Sequence, residues 1–236
     1  MSKVSKDTIY TVHTKLVDII LDNSDLITVL ERMGISLGFG EATVGTICKQ
    51  NELDDEFFLM LCRIYHNPKF VPDSNILTHT ALPQILRYLK ASHNYYTQTL
   101  FPLLAMRFEK TVMLLNPEHQ QILKHFYQEY QEEAIRHFDY EENHVFPYVQ
   151  HLIECGGTCE NSFHIQQFSE NHTDIDSKLH DLKCIFIKYI PSTPGSWDLL
   201  HTIFHLEDDL QRHTIIEDNV LTPLVLRLEK TDSTKE

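Results

Sequence analysis

Two twelve-residue segments, RHFDYEENHVFP from Arg136 and RHTIIEDNVLTP from Arg212, carry Arg, His, Glu, a second acid, Asn and Pro at the same offsets. A carboxylate also precedes each histidine by four residues, Glu133 in one case and Asp209 in the other. The apolar positions do not match: Phe138 and Tyr140 stand against Thr214 and Ile216. Packing alone would keep the apolar residues and let the polar ones drift. Residues four apart on a helix project together, one turn apart in height. His137 with Glu141 and His213 with Glu217 are therefore two imidazole–carboxylate pairs. One such pair is ordinarily a surface contact worth about 0.2–0.5 kcal/mol. Two copies on an otherwise unrelated background require helices whose polar stripes meet.

The surroundings suit helices. Apolar residues recur with a 3.6-residue period almost throughout, period-two alternation is scarce, and 7 Gly and 9 Pro punctuate the chain. The fold class expected is all-α. Residues 1–70 read as a small helical N-terminal domain, 71–81 as a linker, and 82–236 as an up-down-up-down four-helix bundle. The bundle helices span about Leu82 to Leu115, up to Glu154, about Asn161 to Ile190, and about Ser196 to Lys230. Asn116-Pro117-Glu118 is a strong start signal for the second, with Asn as cap and Pro in the first turn. Asp54 or Asp55 should cap the last helix of the N-terminal domain.

If the second and fourth helices repeat, the first and third should too. His93 lies in YLKASHNYYTQTLFPLL and His172 in FSENHTDIDSKL, preceding His137 and His213 by 44 and 41 residues. Two helical hairpins thus offer four imidazoles and two carboxylates to one bundle interior. Burying two carboxylates costs several kcal/mol each unless positive charge compensates, and the same stripes carry no Lys or Arg. Two multivalent cations satisfy the set. Imidazole with carboxylate suits iron, manganese or zinc, and bridging carboxylates suit iron and manganese best. Such a set leaves a coordination position open for a small molecule.

The order of residues separates two kinds of metal-binding bundle. Ferritin-like proteins use Glu-x-x-His, whereas here His comes first and Glu follows at the fourth position. In HFDYEENHVFP and HTIIEDNVLTP, residues 82–228 resemble the hemerythrin-like di-iron domain. Oxygen-carrying members place two histidines four apart on the third helix, and this chain has His172 and then Asp176. The set of four histidines and two glutamates is similar to that of the repair-of-iron-centres family. LVDIILDNSDLITVLERMGISLGFGEATVGTICKQNELD resembles the small N-terminal domain of that family. The resemblance implies an oxygen-bridged centre of two Fe ions, with Mn as the alternative metal. His93 and His137 would bind one ion, His172 and His213 the other, and Glu141 and Glu217 would bridge. It also implies a role in nitrosative and oxidative stress, through repair of iron–sulfur clusters or reaction with NO, O₂ or peroxide. Iron–sulfur proteins are then partners; an O₂- or NO-binding sensor without turnover is the alternative. The family's Cys-Cys pair is replaced by Gly38-Phe39, so thiol chemistry attributed to it is absent.

Other residues carry less. His144 shares the stripe of His137, but the second copy has Val220. Glu133 and Asp209 are placed to accept the outer N–H of a ligand histidine. Asp176 is a solvated or supporting acid, and Glu142 and Asp218, about 100° around the helix from the bridging glutamates, are surface or interhelical. His201 and His205 read as bundle histidines. Cys155 and Cys159 make at most a weak zinc idea. Tyr95, Tyr96 and Phe101 are core aromatics that would also keep water from a metal pocket. Pro147 and Pro223, ten residues after each ligand histidine, should kink their helices or free a carbonyl.

The formal charge of −14 sets nucleic acid and anionic membranes aside as partners. Five cysteines suggest no disulfide framework and point to the cytoplasm. No catalytic triad is evident, and oligomerisation is left open.

Overall fold

The computed structural model describes residues 10–67, 69–156, 164–168 and 173–230. Among these there is no strand; extended pairing is confined to one bridge between Lys15 and Thr43. The protein is all-α, an up-down-up-down four-helix bundle preceded by short N-terminal helices. Its contacts divide it into two compact units, residues 1–91, 150–159 and 215–236 in the first and 92–149 and 160–214 in the second.

The first unit opens with helices α1 (Leu16–Asp22), α2 (Leu26–Met33), α3 (Val44–Gln50) and α4 (Asp55–His66). Asp54 caps α4, its carboxylate accepting from the Phe57 N–H at 2.9 Å. α2 stops at Gly34, whose φ of 73° suits a residue without Cβ, and the Ile35 N–H closes the turn onto the Leu30 carbonyl at 2.8 Å. Gly38, where the resemblance has the first cysteine of a pair, sits at φ 91°. A side chain there would strain the turn, so this loop is shaped for glycine. Leu16, Val29, Val44, Phe57, Phe58 and Leu61 are buried. Arg32 lies among them, donating to the Tyr65 hydroxyl at 3.0 Å, with the Tyr88 hydroxyl 2.8 Å from that of Tyr65. Arg227, near the C-terminus, donates to the Ser74 and Leu77 carbonyls at 2.8 and 3.1 Å.

The aromatic and aliphatic core of the bundle lies within the second unit, while residues 82–91, 150–155 and 215–230 of its helices belong to the first. Helix one of the bundle is α5 (Leu82–Tyr95), a π-turn (Tyr96–Leu100) and α6 (Phe101–Val112). Helix two is α7 (Pro117–Tyr140), a π-turn (Glu141–Val145) and α8 (Phe146–Cys155). Helix three is α9 (Thr173–Tyr189). Helix four is α10 (Pro194–Ile216), a π-turn (Glu217–Leu221) and α11 (Thr222–Lys230). Asn116 caps helix two as its sequence signals, accepting from the His119 N–H at 2.9 Å with Pro117 in the first turn. Phe101, Phe108, Tyr127, Phe138, Leu179, Phe186, Leu199 and Leu206 form one buried cluster drawn from all four helices. Lys178 pairs with Glu133, and Lys183 with Glu207 while lying over the Phe204 ring at 4.8 Å. No helix among the described residues is long and apolar enough to cross a membrane.

Candidate metal centre

Backbone chemistry positions the centre first. Pro102, Pro147 and Pro223 each stand six residues after the residue that opens a π-turn, Tyr96, Glu141 and Glu217. Proline has no N–H for the carbonyl four residues back, and its ring crowds that carbonyl. A π-turn absorbs both faults by adding one residue to the turn. The kink or freed carbonyl expected at Pro147 and Pro223 takes this form, and Pro102 does the same in helix one. The Asn of the repeated segment has a local task here. Asn143 donates its side-chain amide to the Asp139 carbonyl at 2.7 Å, beside the entry to the π-turn.

His93, Glu141 and His213 meet in the second unit, all nearly devoid of exposure. The Nε2 atoms of His93 and His213 are 3.1 Å apart. Glu141 uses both oxygens: Oε2 is 2.9 Å from His93 Nε2, and Oε1 is 2.8 Å from His137 Nε2. Glu217, one turn beyond His213 on the same helical run, is wholly buried. One ligand atom from each of His93, Glu141, His213 and Glu217 lies within 4.8 Å of the others. His137 is set at the edge, its side chain 12% exposed. His172 lies outside the described residues. Aromatic rings seal the cluster: Tyr96 meets His213 edge-on at 5.7 Å between centroids, and Phe138 stacks on Tyr96 at 5.5 Å.

The donor set fits a metal cation. The carboxylate of Glu142 faces His93 Nδ1 at 3.0 Å, and an ionised carboxylate can only accept. With the proton on Nδ1, His93 Nε2 carries a lone pair. That lone pair points at a carboxylate oxygen and at a second imidazole nitrogen. Acceptors converging in a dry interior, with two carboxylates among them, favour positive charge at their centre. Imidazole and carboxylate together match transition-metal sites, and an outer carboxylate on the far ring nitrogen is the usual support of a metal-binding histidine.

Several neighbours take other roles. Glu133, placed by spacing to support His137, pairs with Lys178 instead. Asp209, one turn before His213, is buried. His144 is exposed and stacked on Tyr140 at 5.1 Å. His201 and His205 are exposed because eight or twelve residues along an α-helix rotate the stripe by about 80° or 120°. The Cys155 sulfur rests 3.6 Å from His151 Nε2, while Cys159 and the Asp176 side chain lie outside the described set. Glu142, expected to be surface or interhelical, is interhelical, while the ring contacts of Phe138 and Phe146 with His93, at 4.6 and 5.5 Å between centroids, lie beyond what the sequence reading named. The spacing of Phe138 and Glu142 was the available signal, since residues four apart share a face.

The chain is similar to the iron-sulfur cluster repair protein ScdA of Staphylococcus haemolyticus (strain JCSC1435), 21% identical over 187 residues that cover 77% of this chain and 83% of that protein. The family profile of the hemerythrin HHE cation binding domain matches residues 84–225, the span that carries His93, Glu141, His213 and Glu217. That match takes in more than half of the sequence, and the chain belongs to the hemerythrin HHE cation-binding family.

Proposed function

We propose that the cluster holds a pair of iron ions and that the protein acts in the response to nitrosative and oxidative stress, through repair of iron–sulfur clusters. The observation that carries this reading is the buried meeting of His93, Glu141, His213 and Glu217 within 4.8 Å. His93, His137, Glu141, His213 and Glu217 would hold the ions, with His172 as the sixth ligand. Bound iron supplies redox chemistry toward NO, O₂ or peroxide.

The chain's own residues prepare that chemistry. Glu141 reaches His93 with one oxygen and His137 with the other, an arrangement suited to bridging. Tyr96 and Phe138 keep bulk water from the imidazoles, which strengthens every charge interaction inside. His137, partly exposed, marks the side from which a small molecule would reach the centre. The repair role draws on the likeness to the staphylococcal protein named for it.

The test is anaerobic loading with ferrous iron, metal quantification, and titration with NO, O₂ and peroxide followed by absorption spectroscopy. Two irons per chain, reacting with NO or peroxide, and restoration of activity to an oxidatively damaged iron–sulfur enzyme are the results expected. A protein that takes up no iron, or that holds iron but restores no cluster, would overturn the corresponding half of the proposal.

A further inference from the structure

His93 is held more closely than a ligand needs for burial alone. Phe138 stacks on its ring at 4.6 Å and 23°, and Phe146 stacks on it at 5.5 Å and 12°. Both phenylalanines reach the imidazole from helix two, one on each side of the π-turn at Glu141–Val145. Glu142 lies midway between them and meets Nδ1 at 3.0 Å. The two rings fix the plane of the imidazole. They do not fix which way round the ring lies, because a half-turn about Cβ–Cγ exchanges Nδ1 with a ring carbon and leaves the stacking unchanged. Nor do they decide which nitrogen carries the proton.

We infer that Glu142 is a positioning residue that locks His93 in the one ring orientation and tautomer presenting Nε2 to the metal centre. Its carboxylate accepts the Nδ1 proton, which leaves the Nε2 lone pair directed at Glu141 and His213, 2.9 and 3.1 Å away. The Glu142 side chain is 34% exposed. It therefore stands at the rim, outside the ligand cluster, and acts through His93. This inference rests on the metal-binding reading above.

The test uses the full chain with Glu142→Ala and Glu142→Gln. Ferrous iron is loaded anaerobically and its retention measured against a competing chelator, while long-range nitrogen spectra of histidine-labelled, metal-free protein report the His93 tautomer. Glu142→Ala should weaken metal retention by about ten- to a hundredfold, the usual effect of losing such an outer partner, with helicity unchanged. Glu142→Gln, whose amide oxygen can still accept, should stay much closer to wild type. Wild-type protein should show His93 with its proton on Nδ1, and Glu142→Ala should lose that signature. Equal retention in wild type and Glu142→Ala overturns the inference, as does equal loss in both variants. A wild-type His93 protonated on Nε2 alone, with Nδ1 bare, overturns it without recourse to any variant. Wild-type protein that binds no iron defeats the metal reading instead, and the tautomer spectra still decide the Glu142 contact.

Discussion

Replacing Glu141 by Gln exchanges one buried oxygen for an amide of nearly the same shape. The amide still offers an acceptor to one imidazole and presents a new NH₂ donor to the other. What disappears is a negative charge at a site with no exposure, 2.9 Å from His93 Nε2 and 2.8 Å from His137 Nε2. The consequence should have opposite signs with and without metal. With metal, one member of a buried charge pair is gone, a loss of about 3–5 kcal/mol. At about 1.4 kcal/mol per decade that weakens metal affinity by two to three and a half orders of magnitude. Without metal the buried charge is a burden, and neutralising it relieves a desolvation cost of several kcal/mol.

Calorimetric melting separates the two. In excess chelator, Glu141→Gln should melt above wild type, by about 2–4 °C for each kcal/mol in a chain of this size. With ferrous iron under anaerobic conditions the order should invert, because wild type gains the linkage stabilisation of a bound ligand and the variant does not. The crossing is the diagnostic result. A variant that melts below wild type in both conditions would show that Glu141 is a packing or hydrogen-bonding residue. A variant with wild-type iron content would remove it from the centre.

Three further outcomes are expected. His213→Ala removes a buried ring whose Nε2 lies 3.1 Å from that of His93, so iron content by elemental analysis should fall well below wild type with helicity preserved; an undiminished metal content would contradict the assignment. Native thiol titration should find Cys155 and Cys184 reactive and Cys48 and Cys62 silent, since the first two are half-buried and the others buried; fast labelling of Cys62 would contradict the packing of α4. Burial, with help from the Asp55 and Asp54 charges, pushes the Cys48 thiol from 9.0 up to about 12. A raised folded value contributes stability that is present below pH 9 and is lost as pH climbs toward 12. Melting temperature should therefore fall more steeply over that window in wild type than in Cys48→Ala, and parallel curves would refute the link.

Much of this was legible because it depends on local helix chemistry. The cap at Asn116 and the pairing of His137 with Glu141 follow from offsets along one helix. The four-helix architecture follows from the same periodicity joined to a need for two stripes to converge. What spacing cannot supply is the identity of the neighbour across a gap. Glu133 stands one turn before His137, as a supporting acid should, yet Lys178 on helix three claims it. Glu142 stands off the bridging stripe, and that offset turns it toward His93 on helix one. Phe138 stands opposite Thr214 in the second segment and so reads as a freely varying apolar position, whereas it stacks on the His93 ring. His201 and His205 read as bundle histidines, whereas the helix turns them to the surface.

The π-turns join these observations into one account of how the bundle makes room for its centre. A proline inside a helix is a fault, and in three of the helical runs described it is relieved by one extra residue in the turn before it. The residue that opens each widened turn lines the cluster: Tyr96, whose ring abuts His213, and the glutamates Glu141 and Glu217. The backbone device therefore appears three times and the carboxylate only twice. Had the proline served the carboxylate alone, helix one would have no use for Pro102. The simpler order of causes is that proline relief widens the helices, and the widened turns admit large or charged side chains to the interior. Chemistry then follows from which residue is written there. Glutamate brings a carboxylate that could hold a cation, and tyrosine brings an aromatic ring that borders the same interior.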